Sequence, residues 1–112
     1  MKISDMATAL NLKVISGDKG LTSEITGGYV SDLLSDVMGN AAEGNVWITL
    51  QTHQNVIAVA TLKELAAVIM VKGNLPDTET VIKSNTENIP VLSTDLDTFS
   101  ITGRLFELLN RK

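Results

Sequence analysis

The sequence predicts a single α/β domain with a mostly parallel sheet and flanking helices. Three observations carry this. Two continuous apolar runs, Val46-Trp47-Ile48-Thr49-Leu50 and Ala67-Val68-Ile69-Met70-Val71, have the length and β-branched content of strands buried on both faces. A short polar loop follows each, and a segment of helical spacing follows each loop. A third, shorter unit built on Pro90-Val91-Leu92-Ser93 repeats the order, and repeated strand–loop–helix units favour parallel pairing through right-handed crossovers.

Taken in order, Ser4 is placed to cap a first short helix carrying Met6, Ala7 and Leu10, which Asn11 ends in a left-handed conformation. Leu12 to Ile15 reads as a strand, Gly17-Asp18-Lys19-Gly20 as a turn and Leu21 to Thr26 as a second extended segment. Gly27-Gly28 reads as a break, either a tight turn or an anion-facing nest, before a helix carrying Val30, Leu33, Leu34, Val37 and Met38 and closed by Gly39-Asn40. After the first buried strand, Gln51 to Asn55 is a loop and Val56 to Leu65 a helix. After the second, Lys72 to Pro76 is a loop and Asp77 to Asn88 a helix. Thr94 to Asp97 is the third loop, and Thr98 to Asn110 the last helix, with Asp97 as its N-cap and Ile101, Leu105, Leu108 and Leu109 facing inward.

With 112 residues the chain fits one domain spanning residues 1–112, and 44% hydrophobic against 20% charged residues is the balance of a folded protein. There is no cysteine, which excludes disulfides, thiolate catalysis and cysteine metal sites. Thirteen acids against nine scattered bases give a net charge of −4, which argues against nucleic acid as a partner. The most apolar window is too short to cross a bilayer, and the start shows no signal-peptide core, so the expectation is a cytoplasmic protein without a membrane partner.

Catalytic signatures are missing from the sequence. Gly39 and Gly44 have P-loop spacing, but Asn45 and Val46 stand where Lys and Ser or Thr are required. There is no G-x-G-x-x-G and no G-x-S-x-G, and His53 is the single histidine. In parallel sheets ligands sit outside the carboxyl ends of the strands. That places Gln51, Thr52, His53, Lys72, Gly73, Thr94, Asp97 and Thr98 together as candidate ligand residues. Lys72 is a cation at a strand mouth, while Asp95 and Asp97 with neighbouring hydroxyls are an unspecific signal for Mg²⁺. Trp47, inside an apolar run, reads as core.

The order of segments resembles the DRTGG domain family across nearly the whole chain. The most specific stretches are Leu12-Lys13-Val14-Ile15-Ser16-Gly17-Asp18-Lys19-Gly20-Leu21 and Ile25-Thr26-Gly27-Gly28-Tyr29-Val30-Ser31-Asp32-Leu33-Leu34. Val46-Trp47-Ile48-Thr49, Ile89 to Thr94 and Asp97-Thr98-Phe99 add to it. The Gly-x-x-Gly-Leu turn also resembles the N-terminal domain of HPr kinase/phosphorylase. The resemblance implies a fold shared with HPr kinase N-domains and a regulatory role, because DRTGG domains occur beside CBS domains and inside some phosphotransacetylases. Some stand-alone members are encoded near iron-hydrogenase subunits. The chain departs from the name-giving motif: Thr52-His53 stands for Asp-Arg, and Val71-Lys72-Gly73 for Thr-Gly-Gly. The resulting expectation is a non-catalytic regulatory module without cofactor or metal that binds a small anionic ligand or nucleotide at the carboxyl strand edge. The alternative is an interaction or homo-oligomerisation (dimer) module without a ligand, accessory to a hydrogenase or phosphotransfer system. The mean hydropathy of +0.18 on an acidic chain is its motive.

Overall fold

The computed structural model describes residues 1–111. Five strands, β1 (Lys13–Ser16), β2 (Gly27–Val30), β3 (Asn45–Thr49), β4 (Ala67–Met70) and β5 (Val91–Ser93), form one sheet in the order β1-β5-β4-β3-β2. The four strands β2 to β5 are parallel, and β1 joins β5 antiparallel at the far edge. Five helices complete it: α1 (Ile3–Ala9), α2 (Leu34–Asn40), α3 (Asn55–Leu62), α4 (Thr78–Glu87) and α5 (Thr98–Leu109). The α/β class and the parallel units predicted from the sequence are thus present, with β2–α2 as an additional unit.

Steps β2 to β5 each move one strand in the same direction, so right-handed crossovers place α2, α3 and α4 on one face. There Trp47, Val68, Met70 and Val91 meet Val37, Val56, Ile57 and Ala60. On the other face Val46, Ile48, Ile69 and Leu92 meet Ile3 and Met6 of α1 and Ile101, Leu105 and Leu108 of α5. Strands β3 and β4 are therefore apolar on both sides, which is why they read as unbroken hydrophobic runs.

Four sequence-based expectations are corrected. Lys2, not Ser4, is the N-cap of α1, and the Asp5 carboxylate accepts from the Lys2 amide at 3.0 Å. Leu21 to Thr26 forms no strand of the sheet and joins it to the N-terminus through an isolated Lys2–Glu24 bridge. Gly27-Gly28 are neither a turn nor a helix-entry nest: they open edge strand β2, in register with Asn45 and Val46. The helix assigned from Val30 begins at Leu34 instead. Val30 and Leu33 happened to fall at helical spacing with Val37, but parallel pairing with β3 takes Val30 into the sheet and leaves Leu33 exposed.

The N-terminal turn meets the sheet by close backbone approach. Gly17 adopts φ 74° and a short 3₁₀ turn, Asp18–Gly20, follows it. A Cβ on Gly17 would be driven into the backbone of Ile89 and Pro90, and one on Gly20 into the Asn88 carbonyl and the Pro90 ring. The Gly17 amide donates to Asn85 Oδ1 at 2.8 Å, and Ser16 Oγ donates to Ser84 Oγ at 2.9 Å in a buried setting. This turn therefore locks β1 onto the entry to β5.

Candidate functional site at the carboxyl edge of the sheet

Because β2 to β5 are parallel, the loops at residues 31–33, 50–54, 71–77 and 94–97 leave the same edge. All eight predicted ligand residues lie there. Main-chain and side-chain bonds tie the loops to one another. The Lys72 amide donates to the Leu96 carbonyl at 2.9 Å, and the Gly73 amide to the Thr94 carbonyl at 2.8 Å. The Thr52 carbonyl accepts from the Asp77 amide at 3.2 Å and from Thr80 Oγ1 at 2.7 Å. Ser93 Oγ donates to the Asn74 carbonyl at 3.3 Å.

Asp32, which sequence reasoning placed in the first turn of a helix, is the link between the first two loops. Its Oδ1 accepts from Thr49 Oγ1 at 2.9 Å and from the Leu50 amide at 2.7 Å. Its carbonyl accepts from Gln51 Nε2 at 2.9 Å. The signal that could have found it is an acid just beyond a β-forming run, at the mouth of a parallel strand.

Among the described residues Asn11, Glu64, Lys72 and Asn88 are left-handed without being glycine, and Lys72 is the one at the carboxyl edge. Lys72 has φ 58° and Gly73 φ 70°, two left-handed residues in succession. Gly73 takes this conformation freely, whereas a lysine there costs about 1 kcal/mol. The amide bonds to Leu96 and Thr94 hold the pair in place. Both left-handed positions coincide with the paired glycines that the resemblance implies, so the motif's glycines have a backbone explanation and Lys72 is the exception.

The remaining candidates divide by role. Thr94 is buried, and its Oγ1 accepts from the Leu96 amide at 3.2 Å. Asp97 caps α5 as expected, its Oδ1 accepting from the Ser100 amide at 2.8 Å, and Thr98 begins the helix. His53 Nδ1 accepts from the Asn55 amide at 3.1 Å, which leaves Nε2 as the ring's free nitrogen. The imidazole is thus engaged with backbone rather than with a serine or threonine hydroxyl, and the geometry of a nucleophile–base pair is not formed. His53, Lys72 and Gly73 are exposed. Among the described residues no group of three or more His, Asp or Glu side chains has the geometry to hold a metal ion.

The electrostatics are mixed. Lys72 is the one lysine or arginine in these four loops, against Asp32, Asp77, Asp95 and Asp97. The Ser100 amide, then its hydroxyl, and more weakly the Lys72 charge hold the Asp97 carboxyl below its ordinary range. On the neighbouring α2, hydroxyls of Ser31 and Tyr29 hold Asp36 low, and the bond to Asp36 pushes Tyr29 up. Tyr29 Oη donates to Asp36 Oδ1 at 2.8 Å. A carboxyl depressed by folding contributes stability that is present above its unfolded value, about 3.9, and lost as pH falls through the folded one. The melting temperature is therefore expected to hold between pH 7 and 5 and to fall below about pH 4. Asp36→Asn with Asp97→Asn should make that acid limb shallower in thermal melts. Raised Tyr29 acts at the opposite end, its contribution lost as pH climbs beyond about 10.

Comparison with known proteins places the architecture. A solved structure of the CBS and DRTGG domains of the regulatory region of Clostridium perfringens pyrophosphatase, complexed with its activator diadenosine tetraphosphate, superposes with a TM-score of 0.71 at 17% identity over 93% of this chain. The chain spans 45% of that one, less than half its length. No curated protein sequence matches. No helix among the described residues is long and apolar enough to cross a membrane. The family model for the DRTGG domain matches residues 5–108, and with the five-stranded α/β fold in place the chain belongs to the DRTGG domain family.

Proposed function

We propose that this domain is a non-catalytic regulatory module that binds a small anionic ligand at the carboxyl edge of its sheet, with Lys72 as the principal contact. The observation that carries this reading is the left-handed backbone of Lys72. A residue held in a costly conformation, at the edge where parallel sheets take ligands, is a functional candidate. Lys72 stands on an exposed loop whose amide is bonded to the β5–α5 connection, and its charge reaches the Asp97 carboxylate there. His53 Nε2 and Gln51 offer further hydrogen bonds from the next loop.

The four aspartates limit what fits. A free polyphosphate would meet their charge, so the ligand is either a compact anion or a nucleotide carrying its own Mg²⁺. The related pyrophosphatase region is complexed with a dinucleotide activator, which supports including nucleotides. Affinity resting on one lysine is expected to be modest, with Kd on the order of 10–100 μM.

Titration calorimetry with AMP, Mg·ATP, Mg·diadenosine tetraphosphate and acetyl phosphate tests the reading. Lys72→Gly separates fold from function. Relieving the left-handed strain should raise the melting temperature by about 2–4 °C, while removing a charge-assisted bond should weaken binding at least tenfold. No heat with any of the four ligands, or full binding by Lys72→Gly, would overturn the proposal.

A further inference from the structure

The carboxyl edge carries four loops, and the helix layers single out one place among them. Helices α2, α3 and α4 cover one face of the sheet, with α4 beside α3, whereas α5 crosses the other face over β2 and β3. The connection after β4 therefore turns to one side of the sheet, and the connection after its neighbour β5 turns to the other. Where adjacent connections part in this way, an open α/β sheet holds its ligands. The connections after β2, β3 and β4 all turn to the same side, so they do not part from one another. Lys72 stands in the β4–α4 loop, and the left-handed cation of this edge thus coincides with the parting.

Two large apolar residues belong to the two connections that part. Leu75, on the way from Lys72 to α4, is 56% exposed. Phe99, in the first turn of α5, is 89% exposed. Neither belongs to the core on either face of the sheet. A lone exposed apolar side chain is ordinary on a protein surface. These two instead flank a strained cation at the place where such a sheet takes ligands. A carboxylate completes the set. Asp95 is exposed, and its Oδ1 lies 3.2 Å from the point a Cβ would occupy at Gly73, so it stands over the Lys72-Gly73 turn. Asp97, by contrast, spends its Oδ1 on the Ser100 amide.

We propose that the anion held at Lys72 is a nucleoside monophosphate, its phosphate on the Lys72 ammonium, its sugar hydroxyls on the Asp95 carboxylate and its base against Leu75 and Phe99. This deepens the reading of the carboxyl edge and rests on Lys72 as the anion contact. Three neighbouring chemistries then fit one molecule. A cation alone would take any compact anion. A carboxylate beside it repels further anionic groups and accepts from hydroxyls, as acidic residues at nucleotide sites accept from ribose. A base offers an apolar face on which an aromatic side chain stacks whatever the base's identity. Inorganic phosphate and acetyl phosphate meet only the first of these requirements, and a sugar phosphate only the first two. Phe99 and Leu75 are thus the residues that set specificity, and Lys72 the residue that sets charge.

Chemical-shift titration of the Gly73 amide in isotope-labelled chain, with AMP, ribose 5-phosphate and inorganic phosphate, tests this. AMP is expected to bind about tenfold or more tightly than ribose 5-phosphate, the factor that one stacked base supplies. Phe99→Ser should erase that preference without lowering the melting temperature, because Phe99 takes no part in the core. Leu75→Ser should reduce it severalfold. Phe106→Ser, at the far end of α5 and 69% exposed, is the matched control and should keep it. Lys72→Gly should weaken AMP and ribose 5-phosphate alike. Ribose 5-phosphate binding as tightly as AMP, or a preference for AMP that survives Phe99→Ser, would overturn the nucleoside phosphate and leave an anion site standing. No shift with any of the three would also overturn it, and acetyl phosphate added to the same sample then decides the anion site itself.

Discussion

Gly17→Ala is expected to destabilise the domain by about 3 kcal/mol, lowering its melting temperature by roughly 10 °C. Two costs add. Alanine at φ 74° carries the left-handed penalty of about 1 kcal/mol. Its Cβ must also displace the Ile89–Pro90 backbone, which is the lead-in to β5 and has no flexible side chain to yield. Moving that segment disturbs the Gly17–Asn85 bond and the buried Ser16–Ser84 hydroxyl pair together. Gly39→Ala is the matched control. It lies within α2 with nothing inside 4 Å of its Cβ, and alanine there should stabilise by about 0.5–1 kcal/mol. Equal melting temperatures for the two variants would show that the turn does not dock as described.

The contrast also explains why this part of the fold was only half legible. Two glycines around Asp18-Lys19 announce a turn, since their dihedrals and composition are local properties. What the turn presses against is seventy residues away, and no local pattern carries it. The same division holds along the chain. Strands β3 and β4 were readable because burial on both faces leaves an unbroken apolar signature. Strand β2 was not, because an edge strand of two glycines, a tyrosine and a valine has neither that run nor a clean alternation. Its identity comes from pairing with β3. Asn11 and Asp97 behaved as their side chains dictate, the first with φ 54° and the second capping α5.

At the candidate site, topology did most of the work. Once the units were read as parallel, Gln51, Thr52, His53, Lys72, Gly73, Thr94, Asp97 and Thr98 had to share one edge, and they do. The roles within that edge were hidden. Thr52 acts through its carbonyl and the Lys72 and Gly73 amides are consumed by neighbouring loops, and a backbone group's partner leaves no mark on residue type. Asp32 was missed because its assignment to a helix followed from the misread β2. The unpartnered face of α5 lay in plain view as Phe99 and Phe106, but exposure is decided by which side of the helix the sheet covers.

Trp47→Ala is expected to cost about 4 kcal/mol, a large part of the 5–15 kcal/mol that holds a domain of this size. The indole is fully buried in β3 against the α2–α3 layer, so truncation leaves a cavity the parallel sheet cannot collapse to fill. Its Nε1 also donates to the Ser31 carbonyl at 2.7 Å. That bond fixes the loop whose next residue, Asp32, holds Thr49 and Leu50. Trp47→Phe keeps most of the apolar volume and removes the bond, so it isolates the second effect. It should fold with a loss of about 2 kcal/mol, and the Leu50 amide should then exchange with solvent at least tenfold faster relative to amides in β4. The carboxyl edge would loosen while the sheet stays closed, and ligand affinity at Lys72 should fall with it. Uniform acceleration of exchange across β3 and β4 would instead mean that Trp47 only fills space. In that case the positioning of the Asp32 loop would have to come from its own bonds to Thr49 and Leu50.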